Sequence, residues 1–235
     1  MTEKEQHEKY EGKELKEGDV SQYERWALDF FHQKEFVQEP ILQMTLQLDI
    51  TEAYRTYSEK YKDNPDASFT AYITWYLIQT QAAHPYFRYR KIDGTWYIFA
   101  NLPVFMPVAI GGEARFGQIL LENPVKMTLN EFFASYRKDI DRALLGEVFE
   151  TLDEWTWANS HFVGNLPNLQ FSGFQLHTPK DKSGRPFFYF GKRYTQEGKT
   201  MIPMLLAFDH SNLDPFVISS FMEDFQKRID TDANA

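Results

Sequence analysis

Met201-Ile202-Pro203-Met204-Leu205-Leu206-Ala207-Phe208-Asp209-His210-Ser211-Asn212-Leu213-Asp214-Pro215-Phe216 joins an apolar run, long enough for a buried strand, to an abrupt polar break. The break places an imidazole at the strand's end with an aspartate four residues on. An imidazole there suits a general base, because its ordinary pKa lies near neutrality. The pattern is short, and His177 with Asp181 repeats it inside a Pro/Lys/Gly loop, so the rest of the chain has to decide its meaning. Asp214-Pro215 also reads as an N-cap followed by the proline favoured in a first helical turn. The helix it opens buries Ile218, Phe221, Met222, Phe225 and Ile229.

Working back from this stretch, a Gln196-Glu197-Gly198 turn feeds it, preceded by three apolar segments, His161 to Val163, Leu169 to Leu176 and Phe187 to Tyr194. Glu147 to Asn159 is acidic and Trp-rich, with no readable period. Thr128-Leu129-Asn130-Glu131 is a capping box opening a helix whose Phe132, Phe133, Tyr136 and Ile140 share a face. Val104 to Ile110 and Phe116 to Leu121 read as strands, and Asp93-Gly94 between two β-prone runs predicts a hairpin. Ser68 starts a helix, Phe69 to Ala82, apolar nearly all round and therefore central, which His84-Pro85 ends. Leu42, Met44, Leu46 and Leu48 alternate as in a half-buried strand. A capping box at Ser21-Gln22-Tyr23-Glu24 predicts a short helix to Phe31 with Tyr23, Trp26, Ala27 and Phe30 on one face. Residues 1–20 are mostly Glu, Lys, Gln and Gly, and are expected to form a disordered tail before a domain at 21–230. Irregular alternation of strands and helices gives an α+β fold with a mixed sheet.

Composition narrows the chemistry. The 235 residues include no cysteine, which excludes disulfides, thiolate metal sites and a cysteine nucleophile. A net charge of -9 argues against nucleic acid while leaving room for an anionic small ligand held by local Lys and Arg. No apolar segment reaches membrane-spanning length and no apolar leader is present, so a cytoplasmic protein with no membrane partner is expected. Lys180, Lys182, Arg185, Lys192, Arg193 and Lys199 form the most basic local cluster. It either meets a ligand's phosphates or is a solvated loop and hairpin.

Four blocks, in order, resemble the trimeric chloramphenicol acetyltransferases, which share their fold with the catalytic domains of dihydrolipoyl acyltransferases. They are Gln47-Leu48-Asp49-Ile50-Thr51, Ala83-His84-Pro85-Tyr86-Phe87-Arg88 with Asp93-Gly94, Gly191-Lys192-Arg193-Tyr194-Thr195-Gln196-Glu197-Gly198-Lys199, and the opening stretch. The resemblance implies a two-layer α+β sandwich, a homotrimer with active sites between subunits, acetyl-coenzyme A as co-substrate, no metal, and a small hydroxyl-bearing acceptor such as chloramphenicol. It makes His210 the general base, acting in a ternary complex without an acyl-enzyme. Asp214 becomes a supporting residue, ion-paired to an arginine of the first helix of the domain. Arg25 is the candidate for that arginine, although a one-residue register change puts Glu24 there. Phe30, Phe31 and Phe105 match acceptor-pocket segments, or are plain core; Lys192 and Arg193 fall where coenzyme A binds. Two departures bear on rate. Gly164 stands where the family has the serine that stabilises the oxyanion, and Tyr189 replaces a threonine, either substituting for the lost donor or blocking the tunnel. The alternative reading is therefore a catalytically impaired or non-catalytic relative that keeps the fold as a scaffold or ligand-binding protein.

Overall fold

In the computed structural model, residues 2–113, 115–146, 153–177 and 183–232 are described. Locally encoded signals produce the first elements. Helix α1 (Glu3–Lys9) leads into the short strand β1 (Gly12–Glu14) and then α2 (Gln22–Phe30), whose box closes in both directions: the Glu24 amide donates to Ser21 Oγ and the Ser21 amide to Glu24 Oε2. Strand β2 (Ile41–Asp49), helix α3 (Thr51–Lys60) and helix α4 (Phe69–Ala83) follow. The expected hairpin is β3 (Tyr89–Ile92) and β4 (Thr95–Phe99). Its two turn residues, Asp93 and Gly94, have φ of 45° and 85°, the left-handed pair that matches the twist of the flanking strands.

The chain continues through β5 (Val104–Gly111), β6 (Arg115–Leu121), α5 (Leu129–Leu144), α6 (Glu154–Asn159), β7 (His161–Asn165), β8 (Phe187–Phe190), β9 (Tyr194–Gln196), β10 (Lys199–Asp209) and α7 (Pro215–Thr231). The main sheet runs β2-β10-β8-β7-β5-β6, with β9 also on β10. Strand β7 pairs parallel with both β5 and β8, and the other ladders are antiparallel, so the sheet is mixed as expected. Met204, Leu206 and Phe208 of β10 and Phe188 and Phe190 of β8 enter the principal core, against the wholly buried middle of α4 and the apolar faces of α5 and α7. The alternate residues, Phe105, Phe162, Phe187 and Tyr189, form an aromatic row on the opposite face.

One expectation needs correction. Residues 2–20 do not form a disordered tail: β1 extends a small sheet by pairing with β4, and Tyr10 is 1% exposed, its ring stacked on Trp155 at 5.4 Å. The His7 ring meets Tyr97 at 4.5 Å, and the buried Gln6 donates to Asp153 Oδ1 at 2.9 Å. A polar segment can order when a few anchors reach apolar partners and a strand edge lies open to it. Trp155 thereby also acquires a purpose in the Trp-rich segment, whose residues 147–152 lie outside the described ones. The apolar segment Leu169 to Leu176 forms no strand. Side chains of the edge strand satisfy its backbone instead: Gln43 donates to Leu176 O and accepts from the Leu176 amide, and Gln47 donates to Phe171 O.

Candidate active site

Strand β10 ends at Asp209, and the next four residues turn sharply before α7. His210 sits at this turn, partly exposed, its ring against Phe31 with centroids 4.2 Å apart. Its Nδ1 lies 3.3 Å from the carbonyl of Leu213. A carbonyl only accepts, so that contact fixes the proton on Nδ1 and leaves the Nε2 lone pair basic.

The turn is held by groups that local spacing does not reveal. Asp209 is fully buried, and its carboxylate accepts from the Ser211 amide at 2.9 Å, from Ser211 Oγ at 2.6 Å and from His32 Nε2 at 3.0 Å. His32 follows Phe31 directly, so the end of α2 grips the His210 loop by a ring contact and by a hydrogen bond to the residue preceding His210. Asn212 donates to the carbonyls of Tyr86 and Gly184, tying the loop to the turn after α4.

Asp214 caps α7, accepting from the Val217 amide at 2.9 Å, and its other oxygen accepts from the Tyr23 hydroxyl at 3.4 Å. The expected ion pair with Arg25 is not formed. Arg25 pairs with Glu17. With about 100° of rotation per helical residue, the face of α2 that turns Tyr23 and Glu24 toward the loop carries Arg25 off toward the N-terminal segment.

Gly164 and Tyr189 are direct neighbours across β7 and β8. The ring lies so close over the glycine that a Cβ at 164 would overlap it, so the glycine and the tyrosine are one choice. Tyr189 packs on Phe162 at 5.3 Å and on Phe174 at 5.4 Å; burial holds its hydroxyl above the usual phenol range, opposed by Arg185. Arg185 is not part of a solvated loop. It is 4% exposed, stacked 4.6 Å over Trp157 and 4.4 Å over Phe187, and burial pushes its guanidinium down to about 9. Of the other basic residues, Lys180 and Lys182 lie outside the described ones and Lys199 pairs with Asp49 at 2.9 Å. Lys192 and Arg193 border a cavity of about 420 Å³ beside Ser68, Phe69, Thr70 and Asn165 at the start of α4. The Arg193 guanidinium lies over Tyr54 and Phe69.

The expected pocket phenylalanines separate into two groups. Phe31 touches the base and Phe30 stacks between Trp26 and Phe36, whereas Phe105 packs on Phe162 in the aromatic row of the sheet. The same division holds for the chemistry. Tyr189 pairs with Leu205, five residues before His210, which is roughly 17 Å along an extended strand. Within one chain the base and the Gly164–Tyr189 position therefore stand apart.

Among the described residues no helix is long and apolar enough to cross a membrane, and no group of three or more metal-binding side chains is present. Chloramphenicol acetyltransferases from Escherichia coli and Acinetobacter baumannii are each 27% identical to this chain over 213 residues, covering 90% of it and 92% of the relative. Among solved structures, a chloramphenicol acetyltransferase superposes with a TM-score of 0.75 at 17% identity, covering 93% of this chain and 99% of that one. The dihydrolipoamide acetyltransferase of Azotobacter vinelandii gives 0.61 at 15% identity, with 82% of each chain covered. These likenesses establish a shared fold. Since its residues 14–226 match that family's sequence profile, the chain belongs to the chloramphenicol acetyltransferase family.

Proposed function

We propose that the chain is an acyltransferase moving an acetyl group from acetyl-coenzyme A to a hydroxyl acceptor, with His210 as general base and with active sites formed between the subunits of a homotrimer. The observation that carries this reading is the contact from His210 Nδ1 to the Leu213 carbonyl, which leaves Nε2 free to take a proton. As the acceptor hydroxyl gives its proton to Nε2, its oxygen attacks the thioester carbonyl. The tetrahedral adduct collapses with cleavage of the C–S bond, and the imidazolium returns the proton to the departing thiolate. Asp214 supports the base as the cap that starts α7 right after the loop.

Distance supports an assembly. The proposed base lies roughly 17 Å along the strand from the Gly164–Tyr189 position, a separation that a second copy of the chain could bridge. In that arrangement Phe30 and Phe31 come from the base side and Phe105 from the sheet side of the acceptor pocket. The Tyr189 hydroxyl is the group available to donate to the oxyanion where Gly164 has no side chain. Lys192, Arg193 and the N-terminal end of α4 offer positive charge to the phosphates of coenzyme A.

One observation favours a second reading, a scaffold or ligand-binding relative without efficient turnover: the Tyr189 ring fills the space a side chain at 164 would take, so no serine hydroxyl can stand there beside it. Incubation with acetyl-coenzyme A and a panel of hydroxyl acceptors including chloramphenicol, followed by free thiol, separates the two. Acceptor-dependent thiol release supports the transferase. Release no faster with any acceptor than without one overturns it and leaves the scaffold.

A further inference from the structure

Behind the base loop, where it meets the start of α2, lies a cavity of about 240 Å³ walled by Tyr23, Glu24, Tyr86, Tyr89, Asn212 and Asp214, with His210 on its rim. At about 30 Å³ per water in the liquid, that is room for about eight waters, or a ligand of similar heavy-atom count. Its polar atoms are mostly acceptors. Each carboxylate spends one oxygen on a helix cap, Glu24 Oε2 on the Ser21 amide and Asp214 Oδ1 on the Val217 amide. The other oxygen of each receives only a long contact of 3.4 Å, from the Tyr89 hydroxyl and the Tyr23 hydroxyl respectively. Asn212 is 6% exposed and donates to the carbonyls of Tyr86 and Gly184, which fixes this wall of the cavity.

Positive charge is what this lining lacks. Among the described residues no Lys or Arg borders the cavity; Lys13 and Lys16 line the neighbouring open groove, which shares Glu24, Tyr86 and Tyr89. Burial and then the charges of Glu24 and Asp214 push the Tyr86 hydroxyl upward. Two carboxylates and three tyrosine rings favour a cation that can bond to oxygen and lie against aromatic faces. A protonated amine has both properties.

We propose that this cavity binds an organic ammonium group, so that the acceptor is an amino alcohol holding its nitrogen between Glu24 and Asp214 and presenting its hydroxyl to His210. The assignment of the acceptor rests on the acyltransferase reading; the ammonium site itself does not. Binding of 4-hydroxypiperidine, protonated at neutral pH, is compared by calorimetry with that of cyclohexanol, which replaces the ring NH₂⁺ by CH₂, using the full chain without acetyl-coenzyme A. Wild type should bind the amine about tenfold or more tightly than the alcohol, and added salt should narrow the gap. Glu24→Gln keeps the helix box, since glutamine serves at that position, and should lose most of the preference while binding cyclohexanol as before. Equal binding of the two probes by wild type, or an undiminished preference in Glu24→Gln, would overturn the site. Ammonium binding without amine-dependent thiol release from acetyl-coenzyme A would leave the site standing and overturn the amino-alcohol assignment, whereas no release with any acceptor of the panel would overturn the acyltransferase reading. Thiol release with cyclohexanol as rapid as with the amine would overturn the amino-alcohol assignment alone.

Discussion

Gly164 and Tyr189 show how two residues that look like separate losses can be one. With the tyrosine ring filling the space above the glycine, restoring a serine alone is expected to crowd the strand rather than rescue a reaction. Overpacking of this kind typically costs about 1–3 kcal/mol. Gly164→Ser should therefore lower the melting temperature, and Gly164→Ser with Tyr189→Ala should regain much of it. A single variant as stable as wild type would mean that the ring moves aside freely. A similar interdependence holds the base loop. His32 donates to the fully buried Asp209, leaving only Ser211 on that carboxylate if the imidazole is removed. A buried charge deprived of a donor costs about 1–3 kcal/mol or more, so His32→Ala should be destabilised by at least that and should lose turnover beyond what its stability explains. Unchanged denaturation and unchanged kcat in His32→Ala would show that the loop holds itself. No sequence spacing discloses this pair, since 177 residues separate its members.

At the scale of elements, what was legible is what is local. The boxes at Ser21 and Thr128, the cap at Asp214 and the Asp93-Gly94 turn each involve residues within four positions, and each forms as read. Misreadings cluster where ordering comes from far away. The segment 1–20 looks too polar to fold because its anchors are few, yet Tyr10 finds Trp155 and β1 finds the open edge of β4. Leu169 to Leu176 reads only as an apolar segment, and what holds it, Gln43 and Gln47 on its backbone rather than a ladder, lies far off in the sequence. Loss of a buried aromatic commonly costs about 3 kcal/mol or more. Tyr10→Ala should thus bring early amide exchange to β1 and β4 and a lower melting temperature, whereas a true tail would show neither. The candidate site was legible in the same measure: local pattern placed His210 at a strand's end and Asp214 as a helix cap, while the partner of Arg25 and the burial of Arg185 depend on packing that spacing does not report.

At the scale of the molecule, the division between the His210 loop and the Gly164–Tyr189 row is the feature from which the proposed assembly follows. Each chain carries the proposed base at one place and the proposed oxyanion position at another, roughly 17 Å along the strand, and the proposed reaction needs them together. Light scattering should report a trimer at micromolar concentration. Replacing either half should disable every site of a homotrimer: His210→Ala by removing the base, expected to cost about 10²–10⁴ in rate, and Tyr189→Phe by removing the oxyanion donor, about 10²–10³. The decisive measurement is thiol release by trimers reassembled from an equal mixture of His210→Ala and Tyr189→Phe chains. If each site takes its base from one subunit and its oxyanion donor from the next, about a quarter of the sites are intact and the mixture recovers about that fraction of wild-type activity. A mixture no more active than the average of its two parents would contradict an active site shared between copies of this chain.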